Sequence, residues 1–195
     1  MYDFYFGERS EIQLDEEKFL ISIKRMLPKW MNSIPDSEFL ALHRLLNQEA
    51  KSRLMIVETG VGASTILFAY HAMKSSGKLF SWDTNAEKAS QIRTVCVETI
   101  SNYLSKDINA HWCFVNSMST SEFSGLIVLG ELGVNVDFFF HDSEHTLDTI
   151  VSEIREIAPR MNDGSIICLD DANYNFIKSS LLEFCKSNCK FSFGY

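Results

Sequence analysis

The chain has 195 residues and a net charge of −8 at pH 7, with 46% hydrophobic and 23% charged residues. That length suits one domain and that apolar share can build a core, while the acidic balance repels phosphate backbones and argues against nucleic acid as a partner. Residues 1–10 lack a basic start leading into an apolar run, and no apolar stretch reaches the roughly 18 to 20 residues needed to cross a bilayer, so neither a signal peptide nor a membrane span is expected.

The first 50 residues read as a helical cap on a second unit, residues 51–195. Asp15 to Trp30 places Phe19, Leu20, Ile23, Met26 and Leu27 on one helical face, with Pro28 ending or kinking the helix. The densest basic stretch, Lys24 to Lys29, is short and belongs to that helix. Asp36-Ser37 opens a second helix carrying Phe39, Leu40, Leu42, Leu45 and Leu46. The pattern then changes. Short apolar runs at 54–58, 78–83, 111–115, 136–140 and 165–169 read as strands. Helices are predicted over 64–75, 85–105 and 146–161, the last stopped by Gly164, and over 174–188, before a final strand at 190–195. Strands alternating with helices predict βαβ units, and continuous apolar runs fit strands covered on both faces. The fold expected is α/β: a Rossmann-like, doubly wound, mostly parallel sheet with helices on both faces and an N-terminal helical cap. The five cysteines contain no C-x-x-C pair and are odd in number, which favours a reduced, cytoplasmic setting over a disulfide framework.

Polar residues fall at the strand ends: Glu58, Asp83, Asn116, Asp142, and Asp170 with Asp171. In open α/β sheets the ligand crevice lies at the carboxyl ends of the strands, so these residues converge on one rim. The segment Glu58-Thr59-Gly60-Val61-Gly62-Ala63-Ser64-Thr65 has two glycines that let the backbone turn sharply and approach a ligand, with Ser64 or Thr65 placed to cap the next helix. It is not a complete dinucleotide fingerprint and contains no G-K-[ST], which excludes a P-loop. Glu58 would repel a diphosphate and attract a cationic ligand; two unit charges about 4 Å apart interact by roughly 4 kcal/mol at an effective dielectric near 20. Asp83, 21 residues after Gly62, suits a carboxylate accepting from both hydroxyls of a ribose, or a helix cap.

Glu-Thr-Gly-Val-Gly at 58–62, Asp83 in Ser-Trp-Asp-Thr-Asn, His-Asp-Ser-Glu-His-Thr at 141–146 and Leu-Asp-Asp-Ala at 169–172 together resemble the class I S-adenosylmethionine-dependent methyltransferases, and within them the branch of the macrocin and cephalosporin-pathway O-methyltransferases. The resemblance covers roughly residues 50 to 190. It implies that Glu58, Thr59, Gly60, Gly62 and Ser64 line the methionine end of S-adenosylmethionine, that Asp83 holds the ribose, that Asn116 and Ser117 meet the adenine, and that Asp142 lies between the methionine moiety and the substrate. In metal-dependent relatives a carboxylate at the fourth strand end joins an acidic pair after the fifth to bind Mg²⁺; those positions here are Asp142, Asp170 and Asp171. Carboxylates gathered at adjacent strand ends repel one another unless protonated or shared by a cation, and oxygen ligands suit a hard ion.

His145, three residues after Asp142, is the candidate base, since a histidine takes a proton near neutral pH. His141 and His145 do not match H-E-x-x-H, so a zinc pair is not expected. Trp82 and Phe140 read as core residues that could also flank a ligand. The activity expected is methyl transfer to a small-molecule acceptor, most simply a hydroxyl oxygen, with a nicotinamide-dependent oxidoreductase or a non-catalytic cofactor-binding domain as alternatives. The family usually continues through an antiparallel hairpin beyond the sixth strand, so the expectation is either a fragment lacking that hairpin or a shortened edge; an exposed edge carrying Phe191, Phe193 and Tyr195 would favour pairing with another chain.

Overall fold

A computed structural model describes residues 11–48, 51–171 and 178–179. Helix α1 (Glu11–Lys24) and α2 (Asp36–Gln48) precede β1 (Met55–Thr59), α3 (Ala63–Lys74), β2 (Lys78–Asp83), α4 (Ala86–Cys96), β3 (Trp112–Asn116), the single turn α5 (Val128–Glu131), β4 (Val136–His141), α6 (Leu147–Ile157) and β5 (Met161–Leu169). The strands form one sheet in the order β3-β2-β1-β4-β5, every pair parallel. Order reverses at β1, between β2 and β4, which is where a doubly wound sheet opens its crevice.

Side chains alternate across a strand, so residue parity decides which layer each one joins. Ile56, Leu79, Phe138 and Phe140 pack into one core with α1, α2, α3 and α4. Val57, Trp82 and Phe139 face the other way, towards Leu126, Leu129 and Ile157. β4 is buried along its whole length, as a strand between two helical layers must be.

Several boundaries differ from those expected. α1 ends at Lys24, and Pro28 instead precedes a 3₁₀ turn, Lys29–Met31, because proline at the start of a turn gives up no hydrogen bond. Leu20, Ile23 and Leu27 are buried as the helical face required, but Met26 is 57% exposed. α4 runs on from Cys96 through a π-helical stretch, Val97–Ser101, to Leu104, with Ile92, Cys96 and Ile100 inside. Gly164 does not stop a helix. α6 ends at Ile157, a turn at Ala158–Arg160 follows, and Gly164 lies within β5 at φ +76°, where the β4–β5 register shifts between Val136 and Phe138. The helix expected over 174–188 lies outside the described residues except at 178–179, which are helical, and the strand expected over 190–195 lies outside them entirely. No helix among the described residues is long and apolar enough to cross a membrane. Cys96, Cys113 and Cys168 are unpaired.

Candidate active site

The carboxyl ends of β1, β2 and β4 meet around Gly60. Its N–H donates to the Trp82 carbonyl oxygen at 2.8 Å, and its φ of +88° is one that an L side chain rarely adopts. A β-carbon on Gly60 would stand 1.8 Å from the carbonyl oxygen of Asp142. Beside it, the Asp142 N–H donates to the Thr59 carbonyl oxygen at 2.8 Å, continuing the β1–β4 ladder past the end of the strands.

Gly62 is different. It caps α3, its N–H donates to Thr65 Oγ1 at 3.0 Å, and among the described residues a β-carbon there would meet nothing nearer than the Met31 carbonyl oxygen at 3.7 Å. The packing of the described residues therefore does not demand glycine at 62. Next to it, Ser64 is buried and its hydroxyl has no partner among the described residues.

Asp83 joins the end of β2 to the glycine turn. Its Oδ2 accepts from the Val61 N–H at 2.8 Å, its Oδ1 accepts from the Asn85 N–H at 2.8 Å, and Lys88 Nζ lies 3.7 Å from Oδ2. The helix-cap role falls to Asn85, whose side chain accepts from the Lys88 N–H. Asn116 is exposed at the end of β3; with its amide nitrogen turned inward it donates to the Thr84 and Asp83 carbonyl oxygens, 3.1 Å from each. Ser117 shares a 2.6 Å hydrogen bond with Ser124.

A cleft of about 340 Å³ opens over this rim, lined by Gly60, Asp83, Ser117, Ser119, Asp142 and Ser143 among others. Trp82 also reaches it, while its indole N–H donates to the Ser124 carbonyl oxygen; Phe140 stays in the core against Phe68. Glu58 lies beneath the cleft and does not line it. Parity places it on the same sheet face as Ser81, whose hydroxyl donates to Oε1 at 2.6 Å, while Oε2 has no partner among the described residues. Full burial pushes its carboxyl up to about 8, because the charged form loses its hydration.

On the far wall Asp142 lines the cleft; behind it His145 and Asp170, which do not line it, complete a group of three that each offer a ligand atom, all within 4.8 Å of one another. His145 Nε2 is 3.9 Å from Asp142 Oδ1 and 3.7 Å from Asp170 Oδ2. Burial, and next the neighbouring Asp170 carboxylate, push Asp142 up to about 8. Asp171 is exposed at φ +52° and belongs to no such group of three among the described residues. Glu38, at the start of α2, is raised by partial burial and then by Asp170 and Asp171, which brings a further acid towards this wall.

Behind the cleft lies a buried residue that none of the sequence motifs includes. Glu153 on α6 is 1% exposed and accepts from Thr59 Oγ1 at 2.8 Å, Ser143 Oγ at 2.7 Å, Ser119 Oγ and His141 Nδ1 at 2.6 Å. Burial alone would raise this carboxyl, but the donors from His141, Ser119 and Ser143 outweigh it and hold the group below its ordinary range. Thr59 and His141 therefore face α6 and not the cleft. The signal was present: Glu153 falls in helical register with Ile150, Ile154 and Ile157, on the face that must be buried.

A family model described as a methyltransferase domain matches residues 57–172, more than half of the chain. The chain belongs to this methyltransferase-domain family. The match begins inside β1 and runs past Asp171, so the whole rim from Glu58 to Asp170 lies within the methyltransferase domain. No curated protein matches the chain significantly. Solved structures share its fold. The apo TDP-rhamnose 3′-O-methyltransferase of calicheamicin biosynthesis is 14% identical, with 93% of this chain and 87% of that one covered at a TM-score of 0.59. An O-methyltransferase from Bacillus cereus in complex with SAH, S-adenosylhomocysteine, is 15% identical, with 97% and 84% covered at 0.59. A methyltransferase from Podospora anserina, also SAH-bound, is 13% identical, with 87% and 66% covered at 0.58. At these identities the likeness is one of fold.

Proposed function

We propose that the methyltransferase domain binds S-adenosylmethionine in the cleft over Gly60 and transfers its methyl group to a small-molecule acceptor, through a hydroxyl oxygen, as in the O-methyltransferase branch its motifs resemble. The observation that carries this reading is the placing of two carboxyl groups, Asp83 and Asp142, on opposite walls of one cleft at the point where strand order reverses. The residues fit the cofactor: Gly62 leaves room above the helix N-terminus that the described residues do not fill, and the buried Ser64 hydroxyl beside it has no partner among them. The SAH held by two proteins of the same fold supports the same choice.

When bound, the cofactor supplies an electrophilic methyl on a sulfonium, whose departure leaves a neutral thioether. Asp83 would accept from the ribose hydroxyls with the lone pairs its backbone donors leave free. Asn116 and Ser117, at the end of β3, would meet the adenine. Asp142 would face the methionine end, with Glu58 and Thr59 supporting it from below. His145 would take the acceptor's proton as its oxygen attacks, with Asp142 and Asp170 within 4 Å to stabilise the resulting imidazolium. Orientation of the acceptor supplies much of the acceleration, and the segment at Lys29–Met31, which reaches Gly62, would help to cover it.

An all-oxygen Mg²⁺ site made of Asp142, Asp170 and Asp171 does not fit this arrangement. The third ligand atom within reach is an imidazole nitrogen, and hard ions of this kind take oxygen. Methyl transfer measured against a panel of hydroxylated acceptors is expected to proceed equally with Mg²⁺ and with EDTA; strict dependence on Mg²⁺ would return Asp171 to the site.

Titration calorimetry tests the cofactor. SAH should bind and NAD should not; binding without turnover on any acceptor would leave a cofactor-binding domain that does not catalyse. The affinity should also depend on pH. An ammonium group favours the ionised form of Asp142, which in the ligand-free cleft is held protonated up to about 8. Binding then releases a proton, and affinity should rise by up to about tenfold per pH unit as pH approaches 8 from below. A flat profile between pH 6 and 8 would remove Asp142 from the binding site.

A further inference from the structure

Glu153 takes no part in the chemistry proposed above, yet it is bonded to four side chains around the cleft. Thr59 lies one residue before Gly60 at the end of β1. His141 lies one residue before Asp142 at the end of β4, paired in register with Thr59. Strand parity turns both side chains towards α6. Ser119 and Ser143 belong to two further loops, those after β3 and β4, and both line the cleft. All four donors converge on the two oxygens of one buried carboxylate: Ser119 and Ser143 on Oε1, Thr59 and His141 on Oε2. Among the described residues its one ion-pair partner is His141.

We propose that Glu153 is the positioning residue of the cofactor cleft, a single anion that fixes the β1, β3 and β4 loops relative to one another from behind the sheet rim. An ionised carboxylate can only accept hydrogen bonds, so it can satisfy four donors at once, and no neutral residue of this size does so. It also fixes the proton of His141 on Nδ1. The role in cofactor binding rests on the reading of the cleft given above; the role in fixing the loops does not.

The test uses the full chain carrying Glu153→Gln, which keeps the shape and removes the charge. Without ligand, amide exchange over 59–62, 117–120 and 141–144 should speed up together by about tenfold or more while β2 and α4 keep wild-type rates. A far-downfield imidazole proton from His141, held on the carboxylate in the wild type, should disappear. SAH affinity should fall by about tenfold or more. Unchanged exchange in the three segments, or a uniform rise across the chain, would overturn the proposal, since a residue that only stabilises the fold loosens everything. If Glu153→Gln does not fold, Thr59→Val, Ser119→Ala and Ser143→Ala each cut one tie; each should loosen its own segment, and three unchanged segments would refute the role. Failure of the wild-type chain to bind SAH would instead overturn the cofactor reading, with the ligand-free exchange still deciding the case of Glu153.

Discussion

Gly60→Ala should leave little folded protein. The added methyl must occupy a point 1.8 Å from the Asp142 carbonyl oxygen, and that oxygen belongs to backbone that cannot rotate aside. Relief requires β1 and β4 to separate at their ends, which breaks the bond from the Asp142 N–H to the Thr59 carbonyl oxygen, or the Gly60 turn to leave φ +88°, which breaks its bond to Trp82. The two strains act together, so a loss of upward of about 3 kcal/mol is expected. Chemical denaturation would measure it, and a variant within about 1 kcal/mol of wild type, roughly the ordinary cost of a mutation, would show that the strand ends at the rim can move apart. Gly62→Ala is the contrast: its methyl has room, so the fold should survive while SAH affinity falls.

Asp142→Asn should be more stable than the wild type at pH 8 and nearly inactive. The sign follows from the raised carboxyl. Between the ordinary value of 3.8 and about 8, folded Asp142 holds a proton that the unfolded chain has released, so stability falls as pH rises through that window. An amide cannot ionise beside Asp170 and escapes this penalty. Asp142→Asn should therefore match the wild type near pH 4 and exceed it by on the order of 1 kcal/mol or more at pH 8. Turnover should fall by about 10²–10³-fold, because His145 loses the anion beside its imidazolium and the cofactor loses its charged partner. Gain of stability with loss of activity separates a working group from a structural one; thermal melts at two pH values and one methyl-transfer assay suffice. Equal melting temperatures at pH 8 would mean that Asp142 is already ionised in the ligand-free chain.

The layered sheet was legible because β1 and β4 are apolar on both faces, which leaves few alternatives to a strand between helices. Gly60 and Asp83 were legible because a positive φ and a strand-end acid leave marks in residue type. What the sequence hid was orientation. Thr59 reads as part of the glycine turn, yet its side chain points to α6, a matter of pleat parity that emerges only once β1 and β4 are paired. Glu153 stands in register with the apolar face of α6, but its partners come from three loops far apart in sequence, which helical register alone does not reveal. Gly164 carried a true signal of backbone freedom, but the same freedom serves a helix stop or an irregular strand. The stretch from Ser117 to Val134 was assigned no element; it holds the single turn α5, and Leu126 and Leu129 are buried against Val57 and Phe139 on the second face.

The hydrogen bonds spent around Gly60 set a limit on movement. Its amide is tied to Trp82, both Asp83 oxygens are tied to neighbouring backbone, the Gly62 amide is tied to Thr65, and the Asp142 amide extends the β1–β4 ladder. Widening the mouth at this seam would break several of these at once, so the floor behaves as a fixed template. Admission and release of ligands then fall to whatever lies above it, and differences in acceptor among relatives can accumulate there without disturbing the template below.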